Sequence, residues 1–167
     1  MAVIASFALT VPVYAVSMHP LELPNQHNRQ DVRIPLGTEF TITGSGTATN
    51  ITNASDHRSA SFSLLVKVVK DSFGRARLKV ESGTLTVGSQ TFTVDGGNGI
   101  INLHSKRLAL HIRVDDGKDR DRALVLYGRV ASSSSDGSSF TVDFKSPQSK
   151  LAGEWFLQFT GASVTKK

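Results

Sequence analysis

The feature that most constrains this chain is an alternation of apolar and polar side chains that begins after Gly37 and continues to the end. It is clearest over residues 75–81, where Ala76, Leu78 and Val80 alternate with charged residues. Successive side chains of a β-strand point to opposite faces, so this period predicts strands with one buried and one wet face. No segment after Gly37 keeps a helical period over ten or more residues. The alternation therefore predicts an all-β fold.

Short turn-forming segments separate the alternating runs, and none of them leaves room for the long crossover that parallel strands require. We therefore predict an antiparallel meander of eight to ten strands that closes into an up-and-down β-barrel, with a two-sheet β-sandwich as the alternative. Side chains fill a barrel of this size or leave space for one small ligand. The predicted turns are Ser72-Phe73-Gly74, Ser82-Gly83, Gly88-Ser89, Asp95-Gly96-Gly97-Asn98 and Ser135-Asp136-Gly137.

The first part of the chain differs from the rest. Residues 1–15 carry no charge, and residues 13–15 fit the small-residue cleavage site of a secretory signal peptide. This run is too short to span a bilayer, which takes about 20 residues. Residues 16–36 contain three prolines and predict an extended N-terminal arm, followed by a single all-β domain over residues 37–164. We expect the processed chain to be secreted or held at the cell surface, and not to be transmembrane.

Composition narrows the chemistry. The chain has no cysteine, so disulfides, thiolate catalysis and cysteine metal sites are excluded. Its net charge is +5, and residues 58–129 hold 13 Lys and Arg against 7 Asp and Glu. A basic region favours anionic partners such as polyanionic glycans, acidic lipid surfaces or nucleic acid. The alternative is an ordinary solvated wall. There is no specific nucleic-acid motif, and we expect no cofactor.

Two runs of basic residues are the candidates for anion binding. In each run the alternation places the basic side chains opposite an apolar face, and therefore on the outer wall of a barrel. The candidates are Arg75, Arg77 and Lys79 in one run, and Arg107, His111 and Arg113, extended by Arg129, in the other.

An acidic loop raises the question of a metal site. Asp115, Asp119 and Asp121 could supply oxygen ligands to calcium. However, the order of ligands in a calcium-binding EF-hand loop is absent, and Lys118 and Arg120 neutralise the same carboxylates. We therefore interpret this loop as the solvated tip of a hairpin and predict no metal there.

Two sequence patterns match the acceptor for N-linked glycans, which is Asn followed two residues later by Ser or Thr. They begin at Asn50 and Asn53. In a chain this rich in hydroxyl side chains, the alternative is a match by chance.

Motifs for catalysis are not found. Gly96 and Gly97 precede a strand rather than the helix of a phosphate-binding loop. Ser45 lacks the glycine spacing of a nucleophile elbow. Trp155, the single tryptophan, shares a strand face with Leu157 and is predicted to lie in the core rather than on a sugar-stacking surface.

These observations favour an exported, non-enzymatic binding protein whose barrel engages a small or anionic ligand or a surface glycan. The first alternative is a structural or assembly subunit of the cell surface that self-associates, using its N-terminal arm to add a strand to a neighbour. The second alternative is a small hydrolase or isomerase with its site in the barrel mouth.

Overall fold

The computed structural model describes residues 34–72, 74–115, 117, 121–134, 138–149, 151 and 154–167. All the regular structure in this part of the chain is β-strand. The strands are β1 (Glu39–Asn50), β2 (His57–Ser72), β3 (Arg75–Val87), β4 (Gln90–Asn102), β5 (Arg107–Asp115), β6 (Asp121–Ser133), β7 (Ser139–Ser149) and β8 (Trp155–Lys166).

The eight strands close into one barrel in chain order. Each strand is antiparallel to the one before it, and β1 pairs with β2 on one side and β8 on the other. Short connections between sequential strands produce this meander, because antiparallel neighbours can be joined by tight reversals. The prediction of an up-and-down barrel is confirmed, and the sandwich alternative is wrong.

The interior of the barrel is packed with apolar side chains. Phe62 contacts Phe144 and Phe159 edge to face, with ring centroids 5.6 Å and 4.7 Å apart. Trp155 is buried, as predicted, and its ring lies beneath the guanidinium of Arg58, 4.6 Å from the ring centroid. Burial of each large apolar side chain contributes about 1.5–3 kcal/mol before entropic costs.

An apolar cavity of about 20 Å³ lies at the end of the barrel where β1 begins, and the buried Ile34 forms part of its lining. Such a volume is close to that of one water molecule, and the apolar lining offers a water no hydrogen-bond partner. This cavity is too small to hold an organic ligand.

Two of the predicted turns are wrong. Ser82-Gly83 lies inside β3, and residues 95–98 lie inside β4. Both segments adjoin β-bulges, at which Glu81 and Asp95 are the extra residues in the ladders. A Cβ at Gly97, whose φ is +154°, would collide with the carbonyl oxygen of His111. Glycine is present because strands approach closely there, rather than because the chain reverses.

Some predictions fall outside the described residues. These are the signal peptide, residues 16–33 of the arm, Asp119 and the turn at residues 135–137. Within the described part, no helix is long and apolar enough to cross a membrane.

Candidate functional site

The outer faces of β3 and β5 carry the basic residues that the alternation assigns to them. Arg75, Arg77 and Lys79 are exposed, whereas Ala76 and Leu78 between them are buried. On β5, the side chains of Arg107, His111 and Arg113 are exposed in the same way. The inside and outside of both strands are therefore predicted correctly. A role for these residues in binding stays a prediction.

Strand register brings some of these residues together with others that the sequence did not single out. On the outer wall, the direct partners from β3 to β7 form two adjacent rows. The first row is Arg75, Asn102, Arg107, Arg129 and Asp143, and the second is Arg77, Ile100, Ala109, Tyr127 and Lys145.

Most of these side chains line one concave region on the outside of the barrel, with a volume of about 1050 Å³. Arg75 and Arg107 contribute to this surface, but Arg77 and Lys79 are not among its lining residues. We call it the basic groove. It is defined by the cations Arg75, Arg107, Arg129 and Lys145 around the apolar residues Ile100, Ala109 and Tyr127.

The centre of the groove exposes apolar surface. Ile100 is 51% exposed and Tyr127 is 55% exposed, on either side of Ala109 in the second row. Because the side chain of Ala109 is a single methyl group, it forms a low floor between two taller walls. Apolar surface that is exposed among polar groups is typical of a binding site.

Among the described residues, none of the groove cations forms an ion pair. The ion pairs in that part of the chain are Arg58–Asp56, Lys67–Glu39 and Lys79–Glu81, at 3.2, 3.3 and 3.8 Å. Asp143 lies directly opposite Arg129, but its Oδ1 accepts a hydrogen bond of 2.8 Å from the backbone N–H of Gly161. The described lining therefore has a net positive charge, with four cations against the one carboxylate of Asp143, which offsets part of the charge of Arg129.

One cross-strand pairing within the groove is electrostatically unfavourable. Arg107 and Arg129 are direct partners across β5 and β6. Directly opposite residues on one face of a sheet have Cβ atoms about 4.5–5.5 Å apart, and like charges in such pairs are destabilising. An anion bound between the two guanidinium groups would remove this repulsion, because each guanidinium can donate two parallel hydrogen bonds to a carboxylate, sulfate or phosphate.

The remaining candidate cations lie beside the groove. His111 and Arg113 line a second concavity, of about 300 Å³, together with Asn98. Lys79 is the neighbour of Asn98 in the register, and its ammonium group is 3.8 Å from Glu81. The predicted anion-binding residues thus form two basic stripes, on β3 and on β5, with β4 between them, and of these residues Arg75 and Arg107 reach the groove.

Tyr127, Ile100 and Lys145 were missed by the sequence analysis. Alternation in β6 could have placed Tyr127 on the same side as Arg129, since the two are two residues apart. Nothing local shows that Tyr127 lies opposite Ala109 and Lys145, because cross-strand register depends on bulges and loop lengths elsewhere in the chain.

The acidic loop is described only in part. The backbone N–H of Gly117 donates a hydrogen bond of 2.7 Å to Oδ1 of Asp115, which is the geometry of an Asx turn. Asp115 is the direct partner of Asp121 across β5 and β6, and Asp119 lies outside the described residues. Among the described side chains, no group of three His, Asp or Glu residues could hold a metal ion.

Both candidate glycan acceptors lie at the connection between β1 and β2. Oδ1 of Asn50 accepts hydrogen bonds from the backbone N–H and hydroxyl of Thr52, at 2.9 and 2.7 Å. Oδ1 of Asn53 accepts a bond of 2.7 Å from the hydroxyl of Ser55. This connection is at the end of the barrel opposite the β4–β5 turn beside Arg107, so a glycan on Asn53 would leave the groove open. Modification stays a prediction.

The interior of the described barrel offers little polar chemistry. Its buried polar residues are Ser146 and Ser149, and Ser149 donates a hydrogen bond of 3.0 Å to the carbonyl oxygen of Trp155. No histidine or carboxylate among the described residues is buried.

Comparisons with protein-family models, with curated proteins and with solved structures find no match for the chain. Functional inference therefore depends on the geometry and charge of the outer wall.

Proposed function

We propose that this chain is an exported, non-enzymatic binding protein that holds an anionic ligand in the basic groove. The observation that carries the proposal is a concave surface lined by four cations and one described carboxylate, Asp143, with no ion pair among these described residues. Two of the cations, Arg107 and Arg129, face each other across neighbouring strands. Opposed cations on an exposed wall lower stability, whereas an anion between them would turn the same positions into a binding clamp.

The groove uses the barrel as a rigid scaffold. Its side chains project from strands that pair on both sides, and the packed core beneath them restricts movement of the backbone. Sites on strands hold side chains more accurately than sites on loops.

Retention on a heparin column tests the proposal. The variant Arg107→Gln/Arg129→Gln removes two positive charges from the groove, and we expect it to elute at a clearly lower salt concentration than the wild type. The control Lys166→Gln/Lys167→Gln removes the same charge at the end of β8, outside the groove. Binding of unspecified polyanions by net charge alone predicts the same loss of retention for both variants, and that result would refute the proposal.

A further inference from the structure

The dimensions of the basic groove restrict the size of its ligand. The groove reaches from Arg75 on β3 to Lys145 on β7. Neighbouring strands lie about 4.8 Å apart, so these four steps cover roughly 19 Å along the surface. A single carboxylate or phosphate contacts cations only at hydrogen-bonding distance, about 3 Å. A ligand that engages both ends must therefore be extended and carry several anionic groups.

The order of side chains along the groove restricts its chemistry further. Tyr127 and Arg129 are two residues apart on the same face of β6, which places them about 7 Å apart. Arg107 is related to Ala109 in the same way on β5. On β5 and on β6 a cation thus lies beside an apolar position, and Ile100 extends the apolar row onto β4, where its neighbour on the same face is Asn102. The matching ligand carries anionic groups along one edge of a row of flat, weakly polar rings.

Acidic sugar rings have these properties. The C–H face of a pyranose ring is apolar enough to lie on an exposed aromatic side chain, while its carboxylate or sulfate points to the edge. The low floor at Ala109 lets a ring sit between Tyr127 and Ile100. Arginine at the edge supplies planar, paired hydrogen-bond donors for the anion.

Other polyanions fit less well. Proteins that bind single-stranded nucleic acid stack successive bases on several aromatic side chains, and among the described residues that line the groove Tyr127 is the one aromatic. An anionic bilayer is flat on this scale, so it would contact the protruding Ile100 and Tyr127 and leave the recessed floor at Ala109 uncovered.

We infer that the ligand of the basic groove is an acidic polysaccharide, bound with its chain across β3 to β7, a sugar ring on Tyr127 and an anionic group between Arg107 and Arg129. This inference depends on the proposed anion binding and specifies the ligand class.

Calorimetric titration with matched probes tests the inference. One probe is an oligogalacturonide long enough to span about 19 Å, and the other is a capped glutamate peptide with the same number of carboxylates. A heparin oligosaccharide of similar length tests sulfate in place of carboxylate, and oligo-dT tests nucleic acid. We expect one of the two sugar probes to bind about tenfold more tightly than the peptide, and galacturonic acid alone to bind more weakly than its oligomer.

The variant Tyr127→Ser separates ring stacking from charge. We expect it to lower the affinity for the preferred sugar probe about tenfold and to leave the affinity for the glutamate peptide unchanged. The control Val69→Ser changes another exposed apolar residue, on β2 outside the groove, and is expected to change neither. Thermal melts of both variants identify any loss of folding.

The titrations distinguish failure of the polysaccharide inference from failure of the proposed anion binding. Equal binding of sugar and peptide that is insensitive to Tyr127→Ser overturns the polysaccharide inference and leaves anion binding in place. Tighter binding of oligo-dT with loss in Tyr127→Ser identifies a nucleic-acid ligand and also overturns it. Absence of binding to every probe at low salt overturns the proposed function itself.

Discussion

Two regions of the same barrel wall expose polar side chains of opposite character, like-charged residues in one and mutually compatible hydroxyls in the other. The basic groove contains four cations, none of which forms an ion pair among the described residues. Elsewhere, a row of direct partners carries a hydroxyl side chain on every strand from β6 through β8 and β1 to β4. We call it the hydroxyl belt. Its members are Ser132, Thr141, Ser163, Thr43, Ser63, Thr84 and Thr93.

The two regions differ in whether the cross-strand side-chain pairs attract or repel each other. In the belt, the hydroxyls of Ser132 and Thr141 lie 2.6 Å apart in a cross-strand hydrogen bond. Hydroxyl pairs of this kind stabilise a sheet, whereas like charges in the same relation destabilise it. In the groove, Arg107 and Arg129 occupy that unfavourable relation. The comparison contrasts a belt with a favourable cross-strand pair and a groove with an unfavourable one, a cost that a bound anion would offset under the proposed function.

The largest expected effect is on ligand affinity when the clamp is reversed. Arg107→Glu/Arg129→Glu replaces two attractions by repulsions, so we expect the affinity for the preferred acidic oligosaccharide to fall at least about 100-fold, because charge-assisted hydrogen bonds contribute about 1.5–3 kcal/mol each. Calorimetric titration measures the loss. Lys166→Glu/Lys167→Glu makes the same change in net charge outside the groove, and an equal loss in that variant would mean that the groove is not the binding site.

Charge reversal on β3 is expected to have a smaller effect. In Arg75→Glu/Arg77→Glu only Arg75 lines the groove, so we expect a loss of affinity of about tenfold. The buried Ala76 and Leu78 hold the other face of β3, and exposed substitutions usually change stability by about 0.5 kcal/mol or less. The thermal melting temperature should therefore shift by only a few degrees. A much larger drop would show that these arginines support the fold.

The alternation within single strands is enough to predict the all-β fold and the exposed and buried sides of β3 and β5. The period of two is a property of the backbone, so local sequence reveals it. The groove itself could not be predicted, because it depends on the partners Ile100, Tyr127 and Lys145 from three other strands. Their register is determined by pairing across the whole barrel.

Glycine accounts for the two turns that the sequence predicts wrongly. A glycine in a tight reversal and a glycine beside a closely approaching strand have the same local signature of small, polar neighbours. Gly83 and Gly97 belong to the second kind, since a Cβ at either position would collide with a carbonyl oxygen of the adjacent strand. The sequence therefore predicts turns at Ser82-Gly83 and at residues 95–98, where β3 and β4 in fact continue through bulges.

Removal of a belt hydrogen bond is expected to affect stability alone. Ser132→Ala and Thr141→Ala each break their mutual bond, and one exposed hydrogen bond contributes about 0.5–1.5 kcal/mol. Urea unfolding of the single and double variants should give a coupling energy at the lower end of that range, with ligand affinity unchanged. Loss of affinity in these variants would remove the functional distinction between the two regions.

The smallest expected effect is a gain in stability. Arg107→Gln relieves the repulsion with Arg129, and the other direct partner of Arg107 is the uncharged Asn102, so the free energy of unfolding should rise by roughly 0.2–0.5 kcal/mol at low salt. The gain should shrink at high salt, because the shorter screening length, about 3 Å at 1 M, already weakens the repulsion in the wild type. A decrease in stability that is independent of salt would show that Arg107 contributes packing to the folded barrel.

The most direct test of ligand binding in the basic groove is a chemical-shift titration of isotopically labelled protein with an acidic oligosaccharide. We expect the largest shifts at the backbone amides of Arg107, Ala109, Tyr127 and Arg129, with small changes at Thr43 and Ser63 in the hydroxyl belt. Perturbations centred on the belt, or no perturbation at low salt, would contradict the assignment of ligand binding to the basic groove.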